Sequence, residues 1–584
     1  MSIGVLALFA IIPILVALIL MVFLRMGAMK AMPLSWLSCF LIAVVIWKLP
    51  VSYVTALSIQ GVINACSVLI IVFGALLILH TLQYSGGMET IQYGMQQISK
   101  DMRVQAIIVG VLYAAFIEGA AGFGTPAALA APLLLSLGFP PIAAAILCLT
   151  FNSFPVTFGG VGTPLLIGLN AGARNIMDAL IAGNVLPNDA AFYKIIGENV
   201  SLMHLPMIFI LPIFMLGFIT RLYGPKRSWS DGLAAWKFSL FASFAFGVPY
   251  MGLAWLVGPE TPALLGGLIG LGVVMYGAKA GFCVPKEVWT FGDDSKWDKS
   301  WTGTVAFDKK KELTPTMSQL RAWMPYILIG FILMITRIRS LPFSVWINKY
   351  LIIDIRNILG WSGVSDNSIK LLNLPGTLPF AVIALLTIVL HKMPLEKAGA
   401  AWKDTFFKMG PATISLCASV ALVKVFQGSG SFPAANKALI ESLKALGVNT
   451  DIVSMPRAMA ETIALKVGPL WPVVSSYIGG LGAYITGSNT VSNTLFAQFQ
   501  WDVASILKLP QTIIIASQAA GGAMGNMICV HNVIAACTVV GLLNREGEII
   551  KKTFIPFFIY GVVVGIVTLI LVSINFREFI TTVI

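Results

Sequence analysis

Charge is what this chain lacks. Only 11% of its 584 residues are charged, while 58% are apolar. That is too little charge to cover a soluble globule, and enough apolar surface to face hydrocarbon. Histidine is scarce as well: His80, His204, His391 and His531 lie far apart, and neither H-E-x-x-H nor G-x-S-x-G occurs. Zinc-dependent and serine hydrolases therefore lose their sequence basis. The glycine-rich stretches carry no Walker lysine, and no nucleotide-binding domain is left over, which argues against an ATP-driven pump. Of the seven cysteines, six (Cys39, Cys66, Cys148, Cys417, Cys529 and Cys537) lie in apolar runs, and none, Cys283 included, shows ligand-like spacing. No metal site, disulfide framework or cofactor is expected.

Apolar runs long enough to cross about 30 Å of hydrocarbon recur along nearly the whole chain, beginning with 5–23, 34–46 and 62–79. The fold class is an all-α polytopic membrane protein. The first run is longer than a signal h-region and lacks a basic n-region, so it is expected to be the first helix of the mature protein. The net charge of +13 has no basic stripe behind it, so a nucleic-acid partner is not expected. Instead Lys and Arg gather in short loops: Arg25 and Lys30; Arg221, Lys226 and Arg227; 279–321; Lys392, Lys397 and Lys403; Arg545, Lys551 and Lys552. These loops are expected on the cytoplasmic side, with the lipid bilayer as partner.

That constraint yields about 12 transmembrane helices and two re-entrant hairpins. The first repeat, 1–220, holds spans at 3–24, 33–50 and 58–80, an interfacial helix at 88–99, a hairpin at 104–138, a broken span at 140–168 and a span at 200–219. Residues 221–322 supply two linker helices, 235–256 and 259–278, and a cytoplasmic connector without catalytic pattern. The second repeat, 323–584, has spans at 323–337, 376–391 and 407–427, a surface helix at 436–447, a hairpin at 458–500, a broken span at 509–541 and a final span at 554–575. Both termini then lie outside, the hairpins enter from opposite faces, and the second half is the first turned upside down. Such inverted repeats are the architecture of secondary transporters. Local sequence agrees: G-F-G-T at 122–125 and G-S-N-T at 487–490 are followed at equal distance by Asn152-Ser153 and Ser517-Gln518.

Non-helical backbone at membrane depth must face protein or a wet cavity. In E-G-A-A-G-F-G-T-P, residues 118–126, the glycines let the chain reverse and a ligand approach, and Thr125-Pro126 suits the start of the returning half-helix. T-G-S-N-T-V-S-N, residues 486–493, repeats the chemistry with hydroxyls and amides. Two half-helix N-termini aimed at one midplane site would hold a small carboxylate. The candidate contacts are Gly124, Thr125, Asn152, Ser153 and Thr163 in the first half, with Ser488, Asn489, Thr490, Asn493, Ser517, Gln518 and Asn526 in the second. The bland alternative is glycine for close packing and hydroxyls bonded to their own backbone. Placement of both clusters at symmetric positions favours the site. A carboxyl inside a membrane hairpin is a functional candidate by default, so Glu118 is expected to carry a coupling proton, with His531 as second candidate and bracing of the turn as the plain alternative. Lys424 is expected to snorkel from a span end. A channel is the closer rival to a carrier, because polar re-entrant loops also build filters.

Three motifs of the first half resemble the lactate permease family: E-G-A-A-G-F-G-T-P-A-A-L from Glu118, G-F-P-P-I-A-A-A-I-L-C-L from Gly138, and N-S-F-P-V-T-F-G-G-V-G-T-P from Asn152 to Pro164. So do L-P-G-T-L-P-F at 374–380, G-S-N-T-V-S-N at 487–493 and G-G-A-M-G-N-M-I at 521–528. The resemblance spans most of the chain. It implies proton symport of L-lactate, D-lactate or glycolate across a prokaryotic inner membrane, and an elevator-type transport domain of the wider ion-transporter superfamily. A homodimer is among the expected assemblies. The family pattern has an acid where Asn489 stands and a base where Asn526 stands. Losing both is charge-neutral and strands no buried ion. The S-N-T tip also resembles sodium-coupled carboxylate carriers, which keeps Na⁺ as rival coupling ion.

Overall fold

A computed structural model of the chain describes residues 2–24, 26, 28–122, 125–298, 300–302, 314–337, 342–361, 364, 366–374, 376–430, 453–542 and 545–574. Among them, eight helices are long and apolar enough to cross a membrane, or nine if one bent pair counts as a span. In the first half these include α1 (Ile3–Leu18), α2 (Ala28–Val45) and α3 (Val51–Tyr84). The amphipathic α4 (Gly87–Gln96) follows and buries Met88, Ile91 and Met95. The next helix, α5 (Met102–Ala121), is as apolar as a span and wholly enclosed by protein.

At Gly122 the chain leaves α5 with φ 66°, the left-handed region that costs glycine nothing, and α6 (Thr125–Ser136) returns along it. Next comes α7 (Pro141–Phe151), then a chain of short turns, Ser153–Val156, Gly159–Leu166 and Gly168–Gly172. Gly160, Val161 and Gly162 all have positive φ. A β-branched residue in that region is strained, so the surroundings must hold the break open. The half closes with α8 (Asp189–Tyr223), and α9 (Trp236–Leu256) and α10 (Pro262–Lys279) follow.

The rest of the chain, from Gln319 on, is also mainly helical. It comprises α11 (Gln319–Arg337), a helical stretch over 376–390, α12 (Leu395–Gly428), α13 (Met455–Val467), the hairpin α14 (Trp471–Thr486) and α15 (Asn489–Ile506), the interrupted pair α16 (Gln511–Gly525) and α17 (Val530–Val539), and α18 (Glu546–Ser573). Two helices of equal length, α3 and α12, form the central seam between the halves. A Cβ at Gly61 would run into the Ala421 backbone there, the small-residue contact that lets helices associate without hydrophobic drive. Gly487, at the second hairpin's turn, has φ 79°, matching Gly122 at the same offset.

Three expectations change. The second hairpin spans 471–506 and is preceded by a separate helix, because Gly468, with φ 55°, and Pro469 end α13. Between α11 and the 376–390 stretch stand a short helix, Pro342–Lys349, and an antiparallel pair of strands, Ile352–Ile355 and Asp366–Lys370, which the hydropathy pattern gave no reason to expect. The surface helix expected at 436–447 lies outside the described residues.

The stretch 286–302 is also more than a connector, because it straps the ends of several helices. Asp101 and Arg103 form a buried pair at 2.6 Å. Arg103 Nη1 donates to the Asp231 carbonyl and Nη2 to that of Glu287, both at 2.7 Å, while Trp289 N donates to Asp101. Further along, Trp301 stacks edge-on against Tyr223, and Arg545 donates to the carbonyls of Ser300 and Thr302.

Candidate functional site

The first break and the second hairpin meet face to face. Glu118, on the last turn of α5, points at the break, and its Oε1 occupies the place a Cβ on Gly159 would take. The Asn152 side chain lies beside it. Gly122 lies against Gly160: a Cβ there would sit 3.0 Å from Gly160 N. Thr163 Oγ1 donates to the Gly160 carbonyl at 2.5 Å and caps the left-handed turn. Gly162 presses on the Pro259–Glu260 backbone ahead of α10.

From the other side comes α15. Asn493 Nδ2 donates to the Pro164 carbonyl at 3.0 Å, and Thr494 Oγ1 to that of Gly168 at 3.3 Å. A Cβ at Gly168 would sit 2.8 Å from the Thr490 carbonyl. Ser488 caps α15 by accepting from Val491 N, and Asn489 Oδ1 fills the space beside Gly522. A carboxyl and several amides of both halves are thus gathered along one seam.

Their hydrogen bonding divides the candidates. Glu118 Oε2, Asn152 Oδ1, both amide atoms of Asn489 and Asn493 Oδ1 are buried without a partner among the described residues. Buried polar atoms left unpaired cost free energy, about 1–3 kcal/mol each, and mark where a ligand or water belongs. Most of the remaining candidates are engaged. Ser153 Oγ donates to the Thr150 carbonyl, and Asn526 Oδ1 accepts from Asn532 Nδ2 at 3.0 Å. Ser475 Oγ donates to Ser517 Oγ at 2.7 Å; Gln500 Nε2 donates to Gln518 Oε1, and Gln518 Nε2 to Ser492 Oγ, both at 3.0 Å. Trp471 Nε1 donates to Gln500 at 2.9 Å. Ser517 and Gln518 therefore tie the second hairpin to α16. The Thr490 carbonyl accepts from Thr494 Oγ1 at 2.8 Å. Gly124 lies outside the described residues, and so do the side chains of Thr125 and His531.

Two features escaped the sequence reading. Asn199, with both amide atoms unpartnered among the described residues, is fully buried on α8 beside the buried Glu198. Starting that span at 200 had put both residues in a loop, whereas α8 begins at Asp189. Lys424 is buried rather than snorkelling. It shares a face of α12 with Gln427, whose Nε2 donates to the Gly172 carbonyl at 2.7 Å, so that face is turned toward the broken helix.

Comparison with known proteins gives one consistent picture. A family model described as L-lactate permease matches residues 6–575. A putative L-lactate permease of Haemophilus influenzae is 31% identical over 547 residues, covering 90% of each chain. The glycolate permease GlcA of Escherichia coli is 26% identical over 587 residues, covering 97% of this chain and 96% of its own. An L-lactate permease of Escherichia coli is 26% identical over 548 residues, covering 91% and 90%.

Proposed function

The chain belongs to the L-lactate permease family, and from that premise we propose that it is a secondary active transporter of small 2-hydroxy monocarboxylates, L-lactate, D-lactate and glycolate, working by proton symport with alternating access. It is a multi-pass membrane permease and not an enzyme; residence in a prokaryotic inner membrane is part of the proposal. The observation that carries the reading is the set of unpartnered buried atoms on Glu118, Asn152, Asn489 and Asn493, where one hairpin tip, one break and the opposite hairpin converge. Asn489 Nδ2 can donate to a substrate carboxylate, the amide oxygens of Asn152 and Asn493 can accept from its 2-hydroxyl, and the α15 N-terminus adds positive potential. The carboxyl of Glu118 can take up a proton beside them.

Two hairpins turning at equivalent glycines, and the recurring order of elements around the α3–α12 seam, support an inverted repeat whose hairpins are re-entrant and whose site moves as an elevator. The Asn489 tip gives Na⁺ a place as rival ion, because its amide oxygen is a ligand type Na⁺ accepts.

The test is uptake into proteoliposomes, with H⁺ and Na⁺ gradients imposed separately over a panel of small acids. Accumulation of lactate or glycolate above equilibrium under an inward proton gradient is expected. In Glu118→Gln that accumulation is lost while lactate exchange persists. Uptake that never exceeds equilibrium under any gradient overturns the carrier in favour of a channel. Sodium-driven accumulation alone overturns proton coupling.

A further inference from the structure

A second titratable group packs against the segment that follows Asn152. His204 on α8 is fully buried and held at both ring nitrogens. Its Nε2 is 2.8 Å from Thr157 Oγ1, and its Nδ1 is 2.6 Å from the Tyr560 hydroxyl on α18. Thr157 Oγ1 also donates to the Ala519 carbonyl of α16 at 3.5 Å, and Ser153 lies beside the Tyr560 hydroxyl. The imidazole thus joins α8, α16, α18 and the segment after Asn152. In the tautomer the filling step uses, Thr157 gives its proton to Ala519 O and accepts Nε2–H, and Nδ1 accepts from Tyr560. The ionisable groups packed on the ring are Tyr560 and, with ring centroids 6.5 Å apart, Tyr250 from α9; Glu198 is the nearest carboxyl along its own helix.

We propose that His204 is a second proton-holding group of the transport cycle, filled and emptied through Ser153 and Tyr560. Ser153 follows Asn152, the neighbour of Glu118, so the chain of hydroxyls starts next to the substrate seam. In the filling step the Ser153 hydroxyl turns from the Thr150 carbonyl and passes its proton to Tyr560 O as Tyr560 passes its own to His204 Nδ1. The arriving proton replaces the one Ser153 gave up. One proton enters, one positive charge rests on the imidazolium, and both hydroxyls end neutral. Emptying reverses each transfer.

This inference rests on the proton-symport reading, and the assay separates the two. Reconstituted wild type, His204→Gln and Tyr560→Phe are compared for lactate exchange at equal pH and for net accumulation driven by a pH gradient. Gln keeps an amide near the Nε2 position, and Phe keeps the ring of Tyr560. Expected are exchange within about twofold of wild type and accumulation at least about tenfold lower in both variants. A parallel fall of exchange and accumulation in both variants assigns His204 to packing and overturns the inference. Unchanged accumulation in either variant does the same. Wild type that shows no proton-driven accumulation removes the symport reading itself. If His204→Gln is not inserted, Tyr560→Phe decides alone, since it loses only the hydroxyl.

Discussion

Replacing Gly522 by Ala tests whether Asn489 belongs to the transport site. A Cβ at Gly522 would overlap Asn489 Oδ1, lie 2.9 Å from its Cγ and 3.5 Å from Ser492 Oγ. The atom struck is the end of a side chain that has no hydrogen-bond partner among the described residues, so Asn489 yields rather than the backbone. Overpacking of that kind costs about 1–3 kcal/mol, and the lower half of the range applies because no bond is broken. By contrast, a Cβ at Gly479 would strike the Gln518 carbonyl and lie 2.8 Å from Gly522 N. Two backbones would then have to part, and Gly479→Ala is expected at or above the top of the range. If the displaced Asn489 amide contacts substrate, losing that contact weakens transport affinity by about 1–3 kcal/mol, or roughly 5–150-fold. The measurements are the unfolding temperature in detergent and the concentration dependence of uptake in vesicles. In the double variant Gly522→Ala with Asn489→Ala, stability should return to within about 0.5 kcal/mol of wild type, while affinity stays low. Wild-type affinity in Gly522→Ala, or a double variant no more stable than the single, refutes the reasoning.

Arg103→Ala strands Asp101 inside the protein; the loss should reach about 3–5 kcal/mol, tempered by the N–H donors of Arg103 and Trp289 that Asp101 keeps. Thermal unfolding of Arg103→Ala beside Asp101→Asn with Arg103→Met checks it, the paired replacement being expected to be the more stable. Single cysteines at Ser295 and Ser442 should react with membrane-impermeant reagents from opposite sides of the bilayer, and labelling from the same side excludes the inverted repeat.

The spans were legible in the sequence because one physical demand, some 30 Å of apolar length, leaves a continuous signature. Predicted ends fell within a few residues for α9 and α10 and missed by more at α8, where Glu198-Asn199-Val200 interrupts an otherwise apolar run. A polar pair just ahead of an apolar run reads as loop to any hydropathy argument, yet here it lies inside α8 and the protein buries both residues. The two turns were legible because Gly122 and Gly487 must adopt positive φ, which sequence writes plainly as glycine. Which polar residues stay unpaired was not legible. Ser517 and Gln518 look no different in sequence from Asn152, but Ser475 and Gln500, both remote along the chain, bind them, and only tertiary structure says so. The strap over 286–302 was hidden for the same reason, since its hold depends on carbonyls turned toward Arg103 and Arg545.

The two hairpins each leave their first helix at a glycine of positive φ but differ in chemistry, and on the proposed reading this divides the labour of transport. Beside the first tip stands a carboxyl, Glu118, pressed against Gly159, with His204 behind the same segment. Beside the second stand neutral amides, Asn489 and Asn493, with an Asn–Asn pair at Asn526 and Asn532. A charge change is expensive in a site of low polarity, so a group that titrates is best kept apart from groups that must bind an anion in every state. Were an acid at 489 to face the substrate, each carboxylate would first have to overcome like-charge repulsion. With Asn there, recognition needs no titration, and protonation is confined to the half that carries Glu118. Asn489→Asp should therefore weaken carboxylate binding more as pH rises through the range where the new acid ionises. Asn489→Ala should weaken it equally at every pH. A pH-independent defect in Asn489→Asp would place that residue away from the anion.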